Sequence, residues 1–134
     1  MKTDESLKIV KKFCENFIKG NRTAMMQEMA DDVQWIYPGE PDIYYAGTFT
    51  GKAAVPEFFK RLASSVETLE FSTKDFIAQD TRVAVTGFIR GYSISTENEF
   101  ESEWTMIFEL KDQKIKRCQT YLDTAKIAAA FWVA

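Results

Sequence analysis

Whatever chemistry this chain performs, it performs without histidine, which is absent from its 134 residues. That removes Ser-His and Cys-His nucleophile pairs and the usual zinc and non-haem iron ligand sets. Acid–base work falls to Asp, Glu, Tyr, Lys or Cys. Tyr37 closes the apolar pattern Asp31–Tyr37 just before Pro38-Gly39. With an ordinary pKa of about 10 it is a weak base, better suited to donating a hydrogen bond to a ligand oxygen. Asp123 ends the last apolar pattern and has two roles open to it, a general acid/base or the N-cap of a following helix, with Thr124 as the rival cap. Glu40 and Asp42 either reach a cavity or lie in solvent, and Tyr44 and Tyr45 either form a lid or pack beneath their loop. Cys14 and Cys118 sit inside apolar patterns and read as reduced core thiols, with no basic neighbour to activate Cys118. No metal or organic cofactor is expected, although composition leaves a carboxylate-only magnesium site open.

These residues need elements to hold them, and the strongest pattern is the stretch Arg82–Thr124. It reads as three long antiparallel strands, 82–95, 100–110 and 114–124, rich in β-branched and aromatic residues, alternating with period two and separated by short polar turns. Upstream, residues 4–19 form an amphipathic helix with Leu7, Val10, Phe13, Cys14, Phe17 and Ile18 on one broad stripe. Thr3 or Asp4 can cap it and Gly20-Asn21 can end it. Thr23 caps a short second helix to about residue 30. A strand follows over 31–37, then an irregular loop broken by Pro41. A third helix runs from Gly51-Lys52 to about residue 65, with Pro56 in its first turn and Val55, Phe58, Phe59 and Leu62 on its apolar side. A strand over 66–79 leads into the central stretch, and residues 124–132 form a closing helix of good helix formers. Helices placed before an antiparallel sheet give an α+β arrangement in one domain, 1–134. A strongly curved sheet of this kind leaves a pocket beneath the first helix.

Composition limits the partners. Acids and bases are interspersed and the net charge is −3, which argues against a nucleic-acid footprint. No apolar run approaches a membrane span and the first residues lack a signal-peptide core, so a soluble cytoplasmic protein with no membrane partner is expected. The 11 Phe, 5 Tyr and 3 Trp exceed what a minimal core needs.

The chain resembles the nuclear transport factor 2-like superfamily, in its SnoaL-like, ketosteroid-isomerase-related branch. The matching residues are Ala30–Trp35, Ala46–Lys52 leading to Val55–Phe59, Glu103–Phe108 and Lys114–Thr124. The resemblance covers nearly the whole chain in order and implies the cone-shaped, cystatin-like fold, N-terminal helices packed on a curved antiparallel sheet. It also implies a homodimer formed through the outer face of the sheet. It does not imply one activity, because the fold hosts isomerases, cyclases, hydrolases, dehydratases and non-enzymes.

Carried over one position at a time, the catalytic groups of the relatives do not survive. The carboxylate base of ketosteroid isomerases falls on Tyr37, their catalytic Tyr on Phe13 and their protonated Asp on Met106. The Arg-x-Asp pair and further Asp of limonene-epoxide hydrolases fall on Gly87, Ile89 and Thr120, and the residues that hold their water on Trp35 and Tyr37. The acid/base Asp of polyketide cyclases is aided by a His, which this chain lacks.

The same alignment fixes strand parity. It points Val33, Trp35 and Tyr37 inward, with Val85, Gly87 and Ile89. Trp104, Met106 and Phe108 follow, then Cys118, Thr120 and Leu122. Thr105, Ile107, Arg117, Gln119 and Tyr121 face outward, and with Phe88 make that face partly apolar. The expected ligand-binding set joins inward strand residues (Trp35, Tyr37, Ile89, Trp104, Met106, Phe108, Cys118, Thr120, Leu122) to Phe13, Phe17, Phe58, Phe59 and Leu62 from the helices. Trp35 and Trp104 are open to core packing or to a ligand wall. A strongly apolar cavity suits a hydrophobic small molecule such as a polyketide, steroid or terpenoid. Three functions follow as expectations: binding of such a molecule; cofactor-free isomerase, cyclase or dehydratase chemistry with Tyr37 as polariser; or a non-catalytic dimeric interaction module.

Overall fold

The computed structural model describes residues 2–133. Helix α1 (Thr3–Lys19) and the short α2 (Arg22–Gln27) precede β1 (Met29–Tyr37) and β2 (Gly47–Thr50). A 3-10 turn at Lys52–Ala54 leads into α3 (Val55–Ser65). Four strands then follow, β3 (Val66–Gln79), β4 (Arg82–Ser93), β5 (Glu99–Lys111) and β6 (Lys114–Leu122), and α4 (Thr124–Ala130) closes the chain. The six strands form one sheet in the order β2-β1-β6-β5-β4-β3. Every neighbouring pair is antiparallel except β1 and β6, which run parallel, so the sheet is mixed. The helical material between β1 and β3 reverses the direction in which the antiparallel series starts, and its last member returns beside β1 in the same sense.

Helix ends differ from the sequence reading by one to four residues. Lys2, with no side-chain cap bond, occupies the N-cap of α1, while the Thr3 hydroxyl instead accepts from the Asp80 amide at 2.9 Å and ties α1 to the β3–β4 turn. Gly20 stops α1 in the left-handed region at φ 74°, a conformation that only glycine adopts freely. Asn21, rather than Thr23, caps α2 by accepting from the Ala24 amide. Helix α2 ends at Gln27, and Met29 already belongs to β1.

The strands bury alternate residues as their composition dictates. Along β4 the buried members are Val83, Val85, Gly87, Ile89, Gly91 and Ser93, and along β5 they are Phe100, Ser102, Trp104, Met106, Phe108 and Leu110. Register lines these into rows: Val85 opposite Met106 and Met106 opposite Thr120, with Gly87 opposite Trp104 and Trp104 opposite Leu122. Thr105, Ile107, Arg117 and Gln119 stand half-buried on the other face and Tyr121 is exposed. Strand β6 breaks the alternation once, with Ile115 and Cys118 both buried across a register shift against β5, and the wider exception is β3. Its pairing to β4 slips between Thr68 and Glu70 and again between Thr73 and Phe76, and such bulges bend and twist an edge strand. The curved sheet wraps α1 and α3. Phe13 of α1 lies wholly buried, 5.5 Å from Phe108 and 6.0 Å from Trp35 between ring centroids.

Candidate functional site

Between α1, α3 and the concave face of the sheet is a cavity of about 360 Å³. Its floor is set by strand register: Trp35 and Tyr37 from β1, Thr120 and Leu122 from β6, Trp104 and Met106 from β5, Ile89 from β4. Phe17 of α1 and Phe58 and Leu62 of α3 form the helical wall. Ten of the expected ligand-binding residues therefore line it. The other four do not. Phe13, Phe108 and Cys118 fill the narrow end of the cone as covered core, because the helix and sheet converge there and Phe13 occupies the gap. Phe59 packs behind Phe58 and Trp35, at 5.0 and 5.7 Å.

The structure adds residues that alternation did not indicate. Phe71 of β3 stacks on the Trp104 indole at 4.9 Å and 14° and meets Phe17 at 4.9 Å. Thr68, Leu69 and Glu70, the bulged segment of β3, join Ile18, Gly20 and Arg22 around the opening. A signal for this was present: Val66, Phe71 and Phe76 are five residues apart, and odd spacings share a strand face only where a bulge intervenes.

Gly87 makes the floor possible. A Cβ there would lie 2.2 Å from the Trp104 ring and 2.1 Å from the Ser72 carbonyl oxygen, so the indole rests directly on the backbone of β4.

The polar content of the cavity consists mainly of donors. The Trp35 and Trp104 indole N–H groups and the Thr120 hydroxyl are buried and have no hydrogen-bond partner among the described residues. The Tyr37 ring packs edge-on to Tyr45 at 5.2 Å and against Phe58 at 5.4 Å. Burial, with the neighbouring Tyr45, pushes its phenol well above the usual tyrosine range, so it stays protonated and donates rather than accepting a proton. Tyr45 is itself buried beneath its loop, and Tyr44 is exposed with Arg61 5.0 Å from its ring centroid. Glu40 and Asp42 are solvated and line no part of the cavity.

Among the described residues no carboxylate is buried. The buried polar residues are Ser6, Ser93, Ser102 and Thr120 among those described, and Glu70, exposed at the opening, is the one acid that lines the cavity. Asp123 is exposed, caps α4 by accepting from the Lys126 amide at 3.2 Å, and borders a shallow depression on the other side of the sheet with Phe88 and Tyr121. Burial pushes the Cys14 thiol up to about 12 and Cys118 well above its ordinary value, so neither supplies a thiolate.

A family model described as a SnoaL-like domain matches residues 10–118. The chain belongs to the SnoaL-like domain family. Among solved structures, a nuclear transport factor 2-like protein of Burkholderia xenovorans is 33% identical, with 97% of this chain and 98% of that chain covered at a TM-score of 0.86. A second such protein, from Burkholderia thailandensis, is 21% identical over 99% of this chain and 100% of that one, with a TM-score of 0.89. TerC, co-crystallised with polyporic acid, is 20% identical over 94% and 97% of the two chains, with a TM-score of 0.83. No curated protein matches the chain. As a SnoaL-like domain the chain has the expected α+β cone, and among the described residues no helix is long and apolar enough to cross a membrane.

Proposed function

We propose that this SnoaL-like domain binds a flat hydrophobic molecule bearing acceptor oxygens, of polyketide, steroid or terpenoid type, and does so without acid–base catalysis. The observation that carries the reading is the set of unpartnered polar groups, Trp35 Nε1, Trp104 Nε1 and Thr120 Oγ1, all buried on the wall of one apolar cavity. A buried donor left unpaired costs about 1–3 kcal/mol, and a ligand carbonyl is the partner that would recover this. Tyr37, held protonated, adds a fourth donor. Isomerase, cyclase or dehydratase chemistry needs a base that can reach the ligand's interior portion, and the lining supplies only Glu70 at the rim. TerC, a neighbour in fold, was crystallised with polyporic acid, which agrees with small-molecule binding in this architecture.

The test is a thermal-shift screen of aromatic polyketides, steroids and terpenoids on wild type, Thr120→Val and Tyr37→Phe. Thr120→Val should raise the melting temperature of the free protein and shrink the shift produced by a ligand. If no such ligand shifts the wild type, or if every shift survives both substitutions, the reading is refuted.

The outer face of the sheet, with Phe88, Thr105, Ile107 and Tyr121, is our proposed homodimer surface. Sedimentation equilibrium showing a monomer at tens of micromolar would reject it.

A further inference from the structure

The rim of the cavity carries an uncompensated cation. Arg61, Arg90 and Arg117 each have a carboxylate oxygen within reach, at 3.7, 3.1 and 3.5 Å respectively. Arg22, the arginine that lines the cavity, has no acidic partner among the described residues. Its guanidinium carbon lies 4.1 Å from the centroid of Phe59 and 5.6 Å from that of Phe17. Its one hydrogen-bond acceptor is the Met25 thioether, 3.4 Å from Nη1, a weak one for a group with five N–H donors.

The placement is built by the local chain. Gly20 ends α1 in the left-handed region, its carbonyl accepts from the Arg22 amide at 3.0 Å, and Asn21 caps α2. Arg22 is thereby the first helical residue of α2, on the lip between α1 and the β3 bulge. The Phe59 and Phe17 rings lie beside the guanidinium, and its N–H edge meets no acceptor but the Met25 sulfur among the described residues. That edge matches a planar oxyanion.

We propose that the molecule bound here is an aromatic oxyanion, its uncharged ring system and acceptor oxygens inside among Trp35, Trp104, Tyr37 and Thr120, and its negative charge on Arg22. The inference rests on the binding reading above and adds the charge and orientation of the ligand. Interior and rim agree: the inner groups are neutral donors that take carbonyl oxygens, and the only cation is at the entrance, where the charged end remains partly hydrated. Glu70 faces the same opening from the bulge, without an ion pair to Arg22, and its charge opposes the anion.

The experiment titrates anthraquinone-2-carboxylate and its neutral carboxamide into the protein, following quenching of Trp35 and Trp104 with the exposed Trp132 as background. Wild type should bind the carboxylate about tenfold more tightly than the carboxamide in low salt, as suits a charge-assisted contact at a partly solvated site. Arg22→Met should abolish the difference, Arg22→Lys should keep part of it, and Glu70→Gln should widen it. Equal affinities in wild type, or a preference that survives Arg22→Met, overturn the anion inference while leaving hydrophobic binding standing. Failure of both compounds to quench overturns the binding reading and the inference with it.

Discussion

Replacing Gly87 by alanine tests the packing that shapes the cavity floor. The added methyl would meet the Ser72 carbonyl oxygen at 2.1 Å and two atoms of the Trp104 ring at 2.2 and 2.5 Å, all far inside contact distance. The Ser72 oxygen belongs to the backbone of β3 and yields little. The indole can yield only toward the cavity, since Phe71 is stacked against it. Overpacking of this kind costs about 1–3 kcal/mol, and the entropy that alanine saves over glycine in a strand returns about 0.5–1 kcal/mol. A net loss of about 1–2 kcal/mol follows, which for a domain of this size lowers the melting temperature by about 4–8 °C. Calorimetry measures that loss, and Trp104 fluorescence should change with it because the indole leaves its stack. Combining Gly87→Ala with Trp104→Phe should recover only part of the loss, because the carbonyl contact remains. An alanine variant as stable as wild type, with unaltered fluorescence, would refute the argument that this glycine is required by close approach.

Asp123→Ala should cost about 1 kcal/mol through loss of the α4 cap and leave ligand affinity unchanged, since the side chain is exposed and lines no part of the cavity; urea denaturation and the quenching titration check the two halves. Alkaline stability should follow the buried acids. Cys14 is raised from 9.0 to about 12, and Tyr37 is raised in the same direction. Each is protonated in the fold at a pH where the unfolded chain has already lost the proton, so their contribution is complete below pH 9 and is lost progressively from there toward pH 12. Chemical denaturation across that range should show stability falling, and Cys14→Ala should flatten the decline; a pH-independent stability would contradict the burial of these groups.

How much of this was legible in the residues depends on where regular spacing held. On β4 and β5 alternate residues are buried without a break, and the family resemblance gives Val85, Met106 and Thr120 their inward parity, although β6 loses the period between Ile115 and Cys118. On β3 two bulges interrupt the period, so Phe71 and the rim segment Thr68–Glu70 were assigned no face. Arg22 was passed over for a different reason: on a six-residue helix, an isolated arginine reads as solvated, and only the tertiary meeting of Phe17 and Phe59 reveals what it rests on. Phe108 and Cys118 have the inward parity and Phe13 lies on the inward stripe of α1, but the face a residue shares does not report its depth, and all three are covered core outside the cavity lining.

The parallel pairing of β1 with β6 has a consequence for how the protein comes into being. Tyr37 and Thr120 meet on neighbouring strands though 83 positions separate them in the chain, so one wall of the site joins early residues to nearly the last. Contacts of such range form late and slowly, and during synthesis β1 has only its short hairpin partner β2 until β6 emerges. The hairpin β3–β4 and its neighbour β5 can assemble beforehand from local contacts. The cavity floor is therefore complete only with β6 between β1 and β5, and a chain truncated before Lys114 would lack Thr120 and Leu122 from the lining.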